Sequence, residues 1–172
     1  MNLISCVDQN WGIGYQGKLL YHYKEDMLFF KNQTIYNVVI MGKNTFLSLP
    51  NQQPLENRHN VVLTSDKTFN PKDVVVLHSL EELFFFLKDM IQKTSYTLDD
   101  VFILGGGQVY TELLPYCSTA YITMVKEIAQ SCDTYFPNLD KEQNWVCKRI
   151  QKIPEKPLWF CTYENREVKN IP

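Results

Sequence analysis

Three places in the sequence gather residues able to hold an anion, and a fourth sets a carboxylate among aromatic rings. At the first, Val38-Val39-Ile40-Met41 breaks at Gly42 into Lys43-Asn44-Thr45. An apolar run that ends at glycine and opens a helix leaves backbone N–H groups unpaired; these attract anions, and Lys43 adds a mobile positive charge. At the second, Val61-Val62-Leu63 is followed by the hydroxyls of Thr64 and Ser65. At the third, Val101-Phe102-Ile103-Leu104 stops at Gly105-Gly106-Gly107 before Gln108-Val109-Tyr110. Glycine there lets backbone approach a bound phosphate closely. Read as G-x-G-x-x-G, the triplet puts Tyr110 where the last glycine belongs, so the dinucleotide fingerprint is not met. A glycine triplet after a strand is, taken alone, equally well a tight turn. Three anion-friendly junctions on one sheet edge are a stronger sign of a phosphate-bearing ligand.

The carboxylate is Asp26, in Lys24-Glu25-Asp26-Met27-Leu28-Phe29-Phe30. Helical spacing puts it on the face of Phe29 and Phe30. There it is either an exposed first-turn charge suited to the helix dipole or a buried anchor for a cationic or amidine-like ligand, and spacing alone favours the former.

These residues need a frame that brings strand ends together. Short apolar runs alternate with helical or turn-like segments, the pattern of an α/β sheet with mostly parallel strands. Strands are expected over 3–7, 37–41, 60–63, 74–77, 101–104 and 120–125, with a closing antiparallel hairpin from 145–150 and 158–164. Helices are expected over Lys24 to Thr34 and from Ser79 to about Gln92, where Ser79-Leu80-Glu81-Glu82 has the form of a capping box. Open sheets of this kind bind ligands at the carboxyl ends of their strands, where the three junctions lie.

The chain has 172 residues, 45% of them hydrophobic and 13% aromatic, which suits one domain with one core and excludes a disordered or fibrous protein. A net charge of −2 gives no general attraction to nucleic acid or to an anionic membrane, so a small molecule is the expected partner. Cys6, Cys117, Cys132, Cys147 and Cys161 show no metal-ligand spacing and fit reduced thiols in a cytoplasmic protein. No signal peptide, membrane span or metal site is expected.

The ordered set of motifs carries a resemblance. Ile4-Ser5-Cys6-Val7 with Gly12-Ile13-Gly14, Asp26 with Phe30-Lys31, Val39 through Thr45, Arg58 before Asn60-Val61-Val62-Leu63-Thr64, the glycine triplet with Val109-Tyr110, Thr123, and Asp133-Thr134 before Phe136-Pro137 together resemble dihydrofolate reductase of bacterial type. The match runs in order through nearly the whole chain.

The resemblance implies a single α/β domain over 1–172, with a central eight-stranded, mostly parallel sheet, an antiparallel last strand and about four flanking helices. It implies reduction of dihydrofolate to tetrahydrofolate by NADPH for one-carbon metabolism, sensitivity to antifolate inhibitors, and a monomer. The adenosine 2′-phosphate falls to Lys43 and Ser65 with Lys67 beside them, and the pyrophosphate to the helix starts at Lys43 and Gly106. The nicotinamide falls to Cys6, Ile13, Gly14 and Tyr110. Lys18, Leu19, Gly42, Asn44, Thr45, Leu63, Thr64, His78, Gly105, Gly107, Gln108 and Val109 complete the cofactor set, with a cis peptide between Gly105 and Gly106. Ile4, Ser5, Cys6, Met27, Phe30, Leu49, Leu55, Leu104 and Tyr110 surround the substrate, and Arg58 takes its glutamate α-carboxylate as a bidentate fork. Asp26 orients the pterin and favours a protonated N5, Thr123 braces Asp26, and the proton comes from water.

Without the resemblance, Arg58 reads as a solvated strand-edge charge, Thr123 as a strand former, Ser65 as a turn residue, and His22, His59 and His78 as surface histidines. Two rival functions share the fold or the cleft: a pyrimidine reductase of the riboflavin pathway, against which Asp26 and Arg58 speak, and a non-catalytic nucleotide-binding module. The segment 14–23 departs from the family pattern, with Leu20-Tyr21 where relatives carry proline and tryptophan. A mobile loop is expected there, with Tyr21 turned into the site as a third catalytic residue.

Overall fold

Apolar, β-branched runs bounded by glycine or hydroxyl residues become the strands of a computed structural model that describes residues 1–172. The central strands are β1 (Asn2–Val7), β4 (Val38–Gly42), β5 (His59–Leu63), β6 (Val75–Leu77), β7 (Val101–Ile103), β8 (Thr119–Val125), β10 (Trp145–Lys152) and β11 (Leu158–Asn165). They form one sheet in the order β10-β11-β8-β1-β7-β4-β5-β6. Only β11 runs against the others, pairing antiparallel with both β8 and β10, as the resemblance implied. Four α-helices flank the sheet: α1 (Lys24–Thr34), α2 (Lys43–Leu47), α3 (Leu80–Lys93) and α4 (Gly107–Leu113).

Both faces are covered, and β4 shows how. Val38 and Ile40 join a core with Leu83 and Leu87 of α3 and Leu113 of α4, whereas Val39 and Met41 join Ile4, Val62, Phe102 and Phe46 of α2. Alternation along a doubly covered strand makes every residue apolar, which is why the run carries no period of two. At about 0.8 kcal/mol per buried methylene, these fully buried aliphatics hold the strand ends rigidly. No helix is long and apolar enough to cross a membrane.

The structure corrects two local expectations. Residues expected as a mobile loop are partly a hairpin: β2 (Gly12–Tyr15) and β3 (Lys18–Leu19) join β9 (Thr134–Tyr135) in a separate sheet ordered β3-β2-β9. Gln16 and Gly17 take φ of 48° and 74°, the double positive φ whose twist matches a two-residue hairpin turn. The capping box closes on a different residue. Ser79 Oγ accepts from Glu82 N at 3.1 Å, but the Glu82 carboxylate accepts from His78 N at 2.6 Å rather than from Ser79.

Candidate active site

Pairing register sets out the first part of the site. Cys6 on β1 lies opposite Thr123 on β8, and Thr123 lies opposite Phe160 on β11. This row faces α1. Phe29 stacks on Phe160 with ring centres 4.4 Å apart and meets Tyr121 edge-on, which docks the helix on the sheet. One helical turn earlier, Asp26 comes down beside Cys6 and Thr123. Burial raises the Asp26 carboxyl above its ordinary value, and hydrogen bonds from the Thr123 and Cys6 side chains only partly offset that rise. Burial, with the Asp26 charge next to it, also pushes the Cys6 thiol well up, so Cys6 is a neutral donor here.

The apolar wall continues from this row. Ile4 packs in one cluster with Phe30, Leu49, Leu55 and Leu104, five of the residues expected around the substrate. Met27, the sixth apolar residue of that set, is half exposed. Arg58 is held at the far end of α1: its Nε and Nη2 lie 3.3 and 3.2 Å from Thr34 Oγ1, and its Nη1 donates to Glu56 O at 2.7 Å. Thr34 in turn donates to Phe30 O at 2.8 Å. Asn60, buried at the start of β5, clamps the approach by accepting from Leu55 N and donating to Leu55 O and Arg58 O. α1 therefore carries an acid at one end and the seat of an arginine at the other, with phenylalanines between.

The three junctions meet in a cleft of about 940 Å³. Its walls include Ile13, Gly14, Lys18 and Leu19 from the hairpin; Gly42, Lys43, Asn44 and Thr45 after β4; and Leu63, Thr64, Ser65 and His78 after β5 and β6. Gly106, Gly107, Gln108, Val109 and Tyr110 complete it, and Ser5 and Leu104 extend it toward the substrate wall. Gly105 lies behind the surface, where its carbonyl accepts from Gly42 N at 2.7 Å. The Gly105–Gly106 peptide is cis, and Gly105 has φ +98°, where a Cβ would come 2.5 Å from the Tyr110 ring. At Gly107 a Cβ would meet Tyr135 O at 2.9 Å, so backbone of β9 presses directly on the start of α4. Tyr110 closes the back by donating to Ile4 O at 2.7 Å.

These walls fit a dinucleotide. Helix starts and hydroxyls converge on one side, Lys43 reaches in, and glycines keep side chains out of the path. Sequence reasoning missed Ser48, Asp66, Glu112, Asp133 and Thr134, which also line the cleft. Asp66 in Ser65-Asp66-Lys67-Thr68 was legible as a turn former, but its pairing with Lys43 joins residues far apart in the chain. Lys67 does not line the cleft.

Tyr21 departs from expectation. It does not line the cleft; its ring stacks on Tyr23 with centres 6.3 Å apart. Its hydroxyl is buried without a protein partner, and burial together with the nearby Asp8, Glu127 and Cys6 raises its pKa. Asp8 fixes the neighbourhood: its carboxylate accepts from Asn10 N, Gly12 N and Ala129 N at 2.9, 2.8 and 3.0 Å.

The family model for dihydrofolate reductase matches residues 1–165. The chain is 37% identical over 185 residues to a dihydrofolate reductase of Schistosoma mansoni, covering 95% of both chains. It is 34% identical over 145 residues to that of Bacillus subtilis, covering 84% of this chain and 79% of the other. A dihydrofolate reductase from Enterococcus faecalis, solved in complex with NADP(H) and RAB-propyl, superposes with a TM-score of 0.79 at 31% identity and covers 95% of each chain.

Proposed function

The chain belongs to the dihydrofolate reductase family, and we propose that it carries out that family's reaction with the residues assembled above: 7,8-dihydrofolate, NADPH and a proton give tetrahydrofolate and NADP⁺. The observation that carries this reading is Asp26, a carboxylate with raised pKa between Cys6 and Thr123, one residue along β1 from Ser5 in the wall of the dinucleotide cleft.

NADPH, when bound, supplies the hydride that adds to pterin C6. The chain's own residues supply orientation and charge. Asp26 accepts hydrogen bonds from the pterin N3 and 2-amino group, and its negative charge favours the N5-protonated substrate, which takes its proton from water. Thr123 and Cys6 hold the carboxylate in place. Phe30, Leu49 and Leu55 wall the benzoyl portion, and Arg58 takes the α-carboxylate with its guanidinium fork. Lys43, Ser65 and the starts of α2 and α4 take the cofactor phosphates, and Ile13, Gly14 and Tyr110 bound the nicotinamide. Tyr21 is assigned to the space beside Cys6 and Asp8, where its hydroxyl is free to order solvent near N5. One chain provides every residue named, so the reaction needs no second copy. Antifolates with an amidine-like edge pair with Asp26 in place of the pterin. The five free cysteines suit the reducing cytoplasm.

The test is NADPH oxidation followed with dihydrofolate as acceptor. Folded protein that oxidises no NADPH with dihydrofolate present refutes the assignment.

A further inference from the structure

Lys43 is not a free cation. Its Nζ lies 2.6 Å from Asp66 Oδ2 and 5.3 Å from the centre of the Phe69 ring. Asp66 is fixed from behind: Oδ1 accepts from Thr68 N at 2.9 Å and from Thr68 Oγ1 at 2.6 Å, and its own N–H donates to Thr64 Oγ1 at 3.2 Å. Lys43 and the Thr68 donors hold its carboxyl well below the usual carboxylate range, so it stays ionised at any physiological pH. Little positive charge compensates. The other charged walls of the cleft are Lys18, Glu112 and Asp133, and Gln108 donates its amide to Glu112 at 2.8 Å.

A phosphate reaching Lys43 must therefore displace or sit beside a permanent carboxylate. A ribose 2′-hydroxyl meets no such conflict, because a hydroxyl donates to a carboxylate, the arrangement by which acidic residues select NAD in other dinucleotide sites. We infer that Asp66 sets the choice of nicotinamide cofactor: it competes with the 2′-phosphate for Lys43, and it offers its Lys43-facing oxygen to the 2′-hydroxyl of NADH, which the enzyme also uses. The inference rests on the function proposed above. The chemistry balances as before, with hydride passing to C6, a proton from water to N5, and NADH leaving as NAD⁺. A carboxylate a few ångströms from a dianion in a water-filled cleft weakens its binding by about tenfold.

Asp66→Asn removes the charge and keeps an acceptor for Thr68. Titration with adenosine 2′,5′-bisphosphate and with 5′-AMP probes the adenosine end by binding alone, and kinetics with both cofactors follow turnover. In the variant, the Kd for the bisphosphate falls about tenfold, that for 5′-AMP does not fall, and the NADPH-to-NADH ratio of kcat/KM rises by a similar factor. The inference is overturned by a ratio unchanged within about twofold, by equal loss of both probes, or by wild-type protein that turns over with NADPH and not at all with NADH. Wild-type protein that oxidises neither cofactor refutes the parent assignment instead, and the two probe affinities still decide the role of Asp66.

Discussion

Replacing Asp26 with asparagine should slow the enzyme and stabilise the protein at the same time. The carboxylate and the pterin N5 are separated by the width of a pterin, about 6 Å, and at an effective dielectric near 20 a unit charge there favours protonated N5 by ~3 kcal/mol, about 100-fold in rate. An intermediate dielectric is the right choice because Asp26 is desolvated enough to raise its pKa and still reaches the surface. Asparagine keeps an acceptor oxygen for Thr123, so packing beside Cys6 is retained while the charge is lost.

The pH dependence fixes the sign. Below the unfolded carboxyl value, about pH 4, Asp26 is neutral in both states and contributes no penalty. As pH rises through the raised folded value, the buried group must ionise against desolvation, and the folded state loses stability relative to asparagine. Asp26→Asn should therefore unfold at higher denaturant than wild type at neutral pH, with the advantage vanishing as pH falls toward 4. The rate deficit should shrink over the same range, since the wild-type acid becomes neutral and the substrate is increasingly pre-protonated. Single-turnover hydride transfer and urea denaturation at several pH values measure both. A variant less stable than wild type at neutral pH, with hydride transfer unchanged, would show that Asp26 is a structural helix residue and not the pterin anchor.

Arg58→Leu should raise KM for dihydrofolate about 30- to 100-fold, with cofactor Kd unaltered; a substrate lacking the glutamate should erase the difference, and an equal response of mutant and wild type to that truncation would send the carboxylate elsewhere. Tyr21→Phe removes a buried hydroxyl without a protein partner, so it should stabilise by about 1 kcal/mol while lowering the hydride-transfer rate. Rates unchanged in both Tyr21→Phe and Tyr21→Ala would detach the residue from the chemistry. Gly107→Ala drives a methyl against Tyr135 O and should weaken NADPH at least tenfold at a stability cost of about 1–3 kcal/mol; calorimetric binding equal to wild type would mean that β9 simply yields.

The strand ends were legible because each apolar run is long enough to fill a doubly covered strand and each stops at glycine or a hydroxyl. α1 was legible to the residue, Lys24 to Thr34, since its polar and apolar spacing has one helical solution. The small sheet was not. Its strands are as short as two residues, and Gly14 pairs with Thr134 across most of the chain, so neither period nor propensity marks them. Asn60 and Thr34 were invisible for a related reason: each is a polar residue whose value lies in the loop it clamps, and sequence spacing does not encode that geometry. Asp26 was visible as an acid but not as a buried one, because its burial comes from Cys6 and Thr123 on strands that meet it only in the fold.

The position of β7 explains why the substrate wall and the cofactor cleft share an edge. The chain leaves β1, builds outward through β4, β5 and β6, and returns by α3 to insert β7 between β1 and β4. That gap is where strand order reverses, the place where open sheets leave a crevice at their carboxyl ends. β7 delivers the glycine triplet into it and is tied on both sides. Gly42 N donates to Gly105 O across the β4 side, and Tyr110 donates to Ile4 O across the β1 side. Leu104 N donating to Ile40 O sets the register of the same segment. Anchored in this way, the turn that borders the cofactor cannot shift without moving Ile4, and Ile4 is the floor of the substrate wall. Hydride transfer demands that two ligands meet with their reacting atoms close to contact. A single inserted strand, hydrogen-bonded to the walls of both sites, supplies that alignment from backbone alone, leaving Asp26 to provide the charge.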